Sequence, residues 1–172
     1  VKEDIFNMIG PHFHGGWGLD LYAGTGGLGI EALSRGMERV VFVDQDKTAI
    51  AVIHKNLHSV KLFERAEVYR TDAERALSVL QRRKLQFHVV FLDPPYAQKR
   101  LLRLLKQIDE RNLLHKGGVV VVEHPSEQDL PDNVGTFRRD RLKSYGNICI
   151  SLYSHDVFRI DSHAAVVAPE EG

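Results

Sequence analysis

The stretch that decides the fold reads Phe87-His-Val-Val-Phe-Leu-Asp-Pro-Pro-Tyr96. Its opening run is rich in Val and Phe, which predicts a buried β-strand. The strand must end at Asp93, because Pro95 cannot donate a ladder hydrogen bond and a proline disfavours helix in the residue before it. We therefore predict a rigid turn at the carboxyl end of a strand, the edge where open α/β sheets bind ligands.

The turn carries groups that suit a planar ring with an amino substituent. The carboxylate of Asp93 and the carbonyl of Pro94 can accept the two amino hydrogens, while Tyr96 can stack on the ring. We assign these three residues to catalysis, with Asp93 positioning the amine and not acting as a general base, and Pro95 to substrate binding. The pattern is the outline of an amino-group methylation site, and the alternative is a plain strand-ending turn, since short motifs are hypotheses.

A second motif lies upstream, where the apolar strand 17–22 leads into Ala23-Gly-Thr-Gly-Gly-Leu-Gly29 and then into a helical pattern. The first two glycines of this loop permit a tight turn and close approach of a ligand, and the last lets the helix pack near the strand. The spacing also fits the dinucleotide fingerprint, with Asp44 about 20 residues on for a ribose hydroxyl. The loop alone leaves NAD and other adenosine cofactors open.

Asp20 favours one of these cofactors. It lies inside the predicted first strand, just before the glycine loop. A carboxylate there suits a cationic ligand, such as the aminoacyl end of S-adenosylmethionine, and would repel a pyrophosphate. The alternative is a buried acid satisfied by loop amides, because Asp is rarely buried without a partner.

Three segments together resemble the bacterial 16S rRNA guanine-N2 methyltransferase family, whose members act on guanine 966. They are Asp20-Leu-Tyr-Ala-Gly-Thr-Gly-Gly-Leu-Gly-Ile-Glu-Ala-Leu-Ser-Arg-Gly36, then Val40-Val-Phe-Val-Asp44, then Asp93-Pro-Pro-Tyr96. The similarity extends to about Tyr153. It implies an α/β, Rossmann-like class I methyltransferase fold: a seven-stranded, mostly parallel sheet with a C-terminal antiparallel hairpin and helices on both faces.

The resemblance also implies S-adenosylmethionine as the cofactor. Asp20 would hold its ammonium group, Asp44 its ribose hydroxyls and Asp72 its adenine amino group, with Gln45 beside the adenine. Asp46 and Asp72 also fit helix N-caps, and for Asp72 the two roles stay open. The expected cofactor contacts are Asp20, Tyr22, Ala23, Gly24, Thr25, Gly26, Gly29, Asp44, Gln45, Asp72 and Ala73.

The remaining elements alternate between strands and helices. Strands are predicted at 19–22, 40–43, 66–69, 87–92 and 119–122, and helices at 1–9, 28–35, 47–60, 73–82 and 101–108. Segments 136–142 and 148–153 predict the terminal hairpin. We expect a single domain over residues 1–172, loosely ordered from about 154 to 172. The family's basic amino-terminal segment is not in this sequence, so we expect part of the RNA-binding surface to lie outside it.

Composition limits the partners and the compartment. The sequence has 172 residues with 23 basic and 23 acidic side chains, so its formal net charge is zero. One cysteine, Cys149, excludes an internal disulfide framework and fits a reducing cytoplasm. The apolar runs are too short to span a bilayer, and the histidines show no metal-ligand spacing. We expect a cytoplasmic protein with neither a membrane partner nor a metal.

The basic residues are clustered although the net charge is zero. Lys99, Arg100 and Arg103 follow the predicted catalytic turn and are expected to bind phosphates beside the target base. The cluster at 82–84 is predicted to be a solvated face, and a further cluster occupies 138–143. The expected partner is 16S rRNA within a small ribosomal subunit or assembly particle, because the weak overall charge leaves presentation of the base to the substrate.

Three other functions compete with this prediction. The closest is a methyltransferase of the same class acting on adenine N6 or on another RNA guanine, which shares the Asp-Pro-Pro-Tyr motif. A more distant one is an NAD-dependent oxidoreductase, which would explain the glycine loop but not the turn at Asp93. The third is a non-catalytic RNA-binding module, which the absence of net positive charge disfavours.

Overall fold

The computed structural model describes residues 1–95 and 98–156. Its helices are α1 Lys2–Ile9, α2 Gly27–Ser34, α3 Lys47–Ser59, α4 Ala73–Arg82 and α5 Gln98–Glu110. Its strands are β1 Trp17–Leu21, β2 Arg39–Asp44, β3 Ala66–Arg70, β4 Phe87–Leu92, β5 Leu114–Pro125, β6 Asn133–Val134, β7 Phe137–Tyr145 and β8 Ile148–His155. The predicted alternation of strands and helices, followed by a hairpin, is confirmed.

The strands form one mixed sheet in the order β3-β2-β1-β4-β5-β8-β7-β6. Strands β1 to β5 are parallel, and β8 lies antiparallel to β5. This is the class I methyltransferase arrangement that the resemblance implied. The sheet has eight strands and not the predicted seven, because the two-residue β6 pairs with the start of β7. A segment that short carries no periodicity from which a strand could be predicted.

Strand β5 begins earlier than its sequence indicates. The Gly117-Gly118 pair was expected to precede the strand, yet pairing with β4 already starts at Leu114, opposite Phe87. The register then shifts, so that Val89 lies opposite Val119. A Cβ on Gly118 would lie 2.9 Å from the Phe87 carbonyl oxygen, so the glycine allows the irregularity where the two backbones approach closely.

Two hydrophobic clusters cover the two faces of the sheet, as predicted. Helices α4 and α5 pack on one face, through residues such as Leu77 and Leu104. Helices α1, α2 and α3 pack on the other, through residues such as Phe6, Leu33 and Ile53. Each large side chain buried in this way contributes about 1.5–3 kcal/mol to stability. The central strands therefore carry apolar residues toward both faces, which is why they appear in the sequence as continuous hydrophobic runs.

The end of the chain is only partly described. Ser154 and His155, which were assigned to a loosely ordered tail, are the last residues of β8 and pair with Arg138 and Phe137. The tail prediction was therefore wrong for these two residues, because pairing in the hairpin continues past the apolar run. Residues 157–172, like Tyr96, lie outside the described residues.

Candidate active site

The sheet order brings the predicted site residues to one edge. Strands β1, β2 and β4 are parallel neighbours, so their carboxyl ends meet at the same side of the sheet. Asp44 ends β2, and Asp93 directly follows β4. Asp20 is the penultimate residue of β1, between them. The two motifs, far apart in sequence, therefore face a common space, as expected at the ligand-binding edge of such a sheet.

The glycine loop turns tightly at the end of β1. The amide of Gly26 donates to the carbonyl of Ala23 over 2.8 Å, and Gly24 and Gly26 have φ of 58° and 81°. These left-handed conformations favour glycine. Any side chain on Gly29 would overlap the ring of Phe42 in β2, so this glycine allows α2 to pack closely on the sheet. The predicted structural roles of the three glycines are confirmed.

Asp44 is held in a fixed orientation by the backbone around it. Its Oδ2 accepts from the amide of Gly24 over 2.9 Å, and its Oδ1 accepts from the amide of Asp46 over 2.9 Å. Each carboxylate oxygen keeps a further lone pair for a ligand. Asp46 itself caps α3, accepting from the amide of Ala49 over 3.2 Å, so that the predicted N-cap is confirmed.

Two cavities meet at this edge. The first has a volume of about 410 Å³ and is lined by Tyr22, Val43, Asp44, Gln45, Asp46, Thr71, Ala73, Asp93, Pro95 and Arg100. The second, of about 370 Å³, is lined by Val1, Lys2, Ile5, Asp20, Tyr22, Ala23, Thr25, Gly27, Leu28, Phe91, Asp93 and Glu123. Tyr22 and Asp93 line both cavities, so they stand where the two spaces join.

Some predicted residues lie apart from these cavities. Asp72 caps α4, accepting from the amide of Arg75 over 3.1 Å, and its neighbours Thr71 and Ala73 line the first cavity while Asp72 itself does not. The N-cap role of Asp72 is therefore confirmed, and its adenine contact stays a prediction. Lys99 and Arg103 line a third space of about 360 Å³, which they share with Arg100 and Glu74. Arg100 lines the first cavity as well and connects the two.

Asp20 is a buried acid, and in the described part of the chain no cationic side chain forms an ion pair with it. It is 3% exposed and its Oδ2 accepts from the amide of Gly29 over 3.0 Å. Burial raises its pKa to about 8, an effect that the Gly29 hydrogen bond only partly opposes. The loop amide that we considered as an alternative partner is present. The acid still lines the second cavity, where a cationic ligand would stabilise its ionised form.

Asp93 has an acidic partner, Glu123, on a neighbouring strand. The pKa of Asp93 is raised to about 7, first by desolvation and then by a side-chain hydrogen bond with Glu123 and the charge of Glu123. Asp93 nevertheless lines both cavities. Glu123 lies in β5, next to β4 in the sheet. Only the sheet order could show that these two carboxyl groups share one site.

Tyr22 and Arg100 form a contact between the glycine loop and α5. The Arg100 Nε donates to the Tyr22 hydroxyl over 3.0 Å, and the guanidinium carbon lies 5.8 Å from the ring centre. Tyr22 has φ of 60°, a strained conformation for a residue with a side chain. The sequence analysis assigned Tyr22 to the cofactor and Arg100 to the substrate. It could not predict their contact, because nothing in the sequence indicates that the two residues are close in space.

The described residues form neither a metal-binding cluster nor a membrane-spanning helix. Within residues 1–95 and 98–156, no three His, Cys, Asp or Glu side chains are grouped to hold a metal ion. Over those ranges no helix combines the length and the apolar character needed to cross a bilayer. Tyr96, the predicted stacking residue, lies outside the described residues, and its role stays a prediction.

Comparisons with known proteins agree with this arrangement. Residues 1–154 match the family described as Conserved hypothetical protein 95. A Bacillus subtilis protein, YlbH, whose name assigns it provisionally as an rRNA methyltransferase, is 51% identical over 153 residues, covering 89% of this chain and 83% of that protein. Ribosomal RNA small subunit methyltransferase D of Haemophilus influenzae is 34% identical over 158 residues, covering 90% of this chain and 80% of that protein.

A solved structure supports the same relationship. A conserved hypothetical protein of Streptococcus pyogenes superposes with a TM-score of 0.85 at 39% identity, covering 91% of this chain and 96% of that one. Ribosomal RNA small subunit methyltransferases D are similar to this chain over about nine-tenths of its length. The chain therefore belongs to the family described as Conserved hypothetical protein 95.

Proposed function

We propose that this chain transfers a methyl group from S-adenosylmethionine to the exocyclic N2 amino group of a guanine in 16S rRNA. The observation that carries the proposal is the position of Asp93, which lines both cavities at the edge where the glycine loop ends β1. A carboxylate there can accept a hydrogen from the substrate amine at the point where a cofactor that extends through both cavities would present its methyl group. The names of the relatives support an rRNA substrate for this chain.

The residues present fit the cofactor. The first cavity, of about 410 Å³, lies within the range of about 300–1,000 Å³ typical of small-molecule sites. Asp44 enters it with both oxygens oriented by backbone amides, which suits a pair of ribose hydroxyls. Asp20 lines the second cavity and suits an ammonium group, which would offset the cost of its burial. When bound, S-adenosylmethionine supplies an electrophilic methyl group on a sulfonium.

The chain's own residues then act on the amine. The lone pair of a guanine N2 is delocalised into the ring, so the amine is a poor nucleophile. Hydrogen bonds from N2 to the Asp93 carboxylate and the Pro94 carbonyl favour the pyramidal nitrogen that attacks, and they orient it. Tyr22, at the junction of the cavities, excludes water there. The alkylated nitrogen then loses its extra proton to solvent, so Asp93 positions the amine and does not act as a general base.

Arg100 and its neighbours are the proposed contacts with RNA phosphates. Arg100 uses its Nε on Tyr22, which leaves its terminal nitrogens for a phosphate next to the target base. Arg103 is paired with Glu74 over 2.6 Å and is thus partly neutralised. Because the chain has no net positive charge, we propose that the substrate is rRNA already folded in a small-subunit particle, in the cytoplasm, with its base presented by the particle.

The test is transfer of a tritiated methyl group to naked 16S rRNA and to small-subunit particles that lack the modification. We expect faster transfer to the particles, and N2-methylguanine as the labelled nucleoside after digestion and mass spectrometry. Label in N6-methyladenine would overturn the choice of guanine, and equal rates would overturn the choice of particle. A calorimetric titration that shows binding of NAD but not of S-adenosylmethionine would overturn the cofactor.

A further inference from the structure

The terminal hairpin carries basic side chains that the proposed reaction does not use. Arg138, Arg141 and Lys143 of β7 are exposed. Within the described part of the chain, none of the three forms an ion pair with a carboxylate. Arg139 differs, because it binds Asp132 over 2.9 Å and is one-tenth exposed. Arg139 thus stabilises the fold through an ion pair, while the side chains of the other three are exposed to solvent.

The strand register places these three cations on one face of the sheet. Lys143 pairs with Ile150, Arg141 with Leu152 and Arg138 with Ser154. Directly paired residues of antiparallel strands point to the same side. Ile150 and Leu152 belong to the cluster under α1, α2 and α3, so Arg138, Arg141 and Lys143 lie on that face, and we name them the hairpin surface.

The hairpin surface is aligned with the reactive edge. Ile150 pairs with Lys143 on one side and with Glu123 on the other. Lys143 is therefore two strands from Glu123, about 10 Å along the backbone hydrogen-bonding direction. Glu123 lines the second cavity together with Asp93 and points to the same face. A ligand that leaves this cavity over β5 and β8 meets Lys143 first, then Arg141.

A second basic group lies on the opposite face. Lys99, Arg100 and Arg103 belong to α5, whose Leu101 and Leu104 pack in the other hydrophobic cluster. Asp93 stands at the edge between the two basic groups. We propose that the hairpin surface binds the RNA backbone on one side of the target base while α5 binds it on the other side. The RNA strand would then cross the carboxyl edge of the sheet. This inference rests on the proposed function, because it assigns the substrate of the same site.

Charged residues on this strand have an alternative role. Strand β6 pairs with Phe137 and Arg138, and among the residues that the structure describes no strand pairs with the remainder of β7 on that side. Lysine and arginine on an open sheet edge protect against pairing with another molecule. The two roles predict different results, since phosphate binding is measured by its salt dependence and edge protection by self-association.

The experiment measures binding of a 16S rRNA transcript as a function of salt concentration for the double variant Arg141→Gln/Lys143→Gln. The control is Arg82→Gln/Lys116→Gln, which removes the same charge from exposed positions at the opposite edge, where α4 ends and β5 begins. We expect the plot of the logarithm of the RNA association constant against log salt to become less steep by about 1.4 in the hairpin variant and not in the control. The variant loses two phosphate contacts, and each contact on a single strand contributes about 0.7 to the steepness. Affinity for S-adenosylmethionine should be unchanged in both.

An unchanged slope in the folded hairpin variant, or an equal fall in the control, would overturn the proposal. Arg141→Glu/Lys143→Glu should lower binding further, and self-association without a change of slope would instead assign the cations to edge protection and overturn it as well. Transfer of tritiated methyl by the wild-type chain is measured in parallel. If the wild-type chain transfers no methyl group while the hairpin variant still lowers the slope, RNA binding by the hairpin surface is supported and the proposed reaction is contradicted. If methyl transfer occurs and the hairpin variant leaves the slope unchanged, the proposed reaction is supported and RNA binding by the hairpin surface is contradicted.

Discussion

Polar side chains at the amino edge of the sheet, where the parallel strands begin, have different partners from those at the carboxyl edge, where they end. At the amino edge, Asp109 accepts from the amide and the hydroxyl of Thr136 over 2.7 and 2.6 Å, and His155 contacts both Thr136 and the Leu114 carbonyl. At the carboxyl edge, Asp20 accepts one hydrogen bond from the described residues, from the Gly29 amide, and Asp93 lies beside a second acid, Glu123.

This difference separates side chains that hold the fold from side chains that await a ligand. The amino edge borders a cavity of about 450 Å³, larger than either cavity at the carboxyl edge, yet Asp109, Thr136 and His155, which line it, hydrogen-bond to one another or to the backbone. The carboxyl edge keeps carboxyl groups with raised pKa values, an arrangement that costs stability and is typical of functional sites. We therefore propose the carboxyl edge as the functional site because of the environment of its carboxyl groups, and not because of cavity size.

The largest expected effect contrasts Asp93 with Asp109. Asp93→Ala should lower the rate of methyl transfer by at least about 10²-fold, because it removes a group oriented toward the reacting amine, and leave cofactor affinity nearly unchanged. Asp109→Ala should leave turnover intact and lower the free energy of unfolding by about 1 kcal/mol, because the exposed Thr136 can bind water instead. Single-turnover kinetics and thermal unfolding of both variants check this; the opposite pattern would reverse the assignment of the two edges.

A smaller effect is expected within the carboxyl edge, between Asp44 and Asp46. Asp44→Ala should weaken binding of S-adenosylmethionine by about 1.5–3 kcal/mol, the range for hydrogen bonds to a charged group. Asp46→Ala removes the α3 cap and should cost about 0.5–2 kcal/mol of stability with little loss of affinity. Isothermal titration calorimetry compares the two, and equal affinity of the Asp44 variant and the wild type would exclude Asp44 from the site.

The pH dependence of stability tests the burial of Asp20. Its folded pKa of about 8 exceeds the ordinary value of 3.8, so between these pH values the folded state holds a proton that the unfolded state has released. Stability should therefore fall as pH rises through this window. Asp20→Asn removes the dependence and should gain stability relative to wild type from about pH 4 to about pH 8. Urea unfolding across that range measures it, and a constant difference between the two proteins would contradict the buried acid.

The smallest effect concerns the pairing of Asp93 with Glu123. The ionised Asp93 carboxylate accepts an amine hydrogen more strongly than the neutral acid, so transfer should increase with pH through about 7. Glu123→Gln removes a charge that raises the Asp93 pKa, and the acid limb of the rate profile should move to lower pH. The rate on the alkaline plateau should change little. A profile that does not move in this variant would show that the two carboxyl groups titrate independently.

Local patterns in the sequence predicted much of the fold. The continuous apolar runs at 40–43 and 87–92 predicted central strands correctly, because burial on both faces leaves no polar alternation. Helix α4 was predicted with the bounds that the structure shows, since Asp72 supplies its cap and its leucines recur at helical spacing. The short β6 and the early start of β5 were missed, because pairing partners created them and not their own residues.

The candidate site divides in the same way between sequence and tertiary structure. The residues of the glycine loop, Asp44 and the turn at Asp93 were determined by sequence alone, because each has a chemical requirement that its neighbours reveal. Only the tertiary structure decided that Asp93 meets Glu123, that Arg100 meets Tyr22, and that Lys143 lies in line with Glu123. These contacts join residues on different strands and helices, so they depend on the order and register of the sheet. The pKa of a carboxyl group depends on them too, since it is set by desolvation and by charges that only folding brings near.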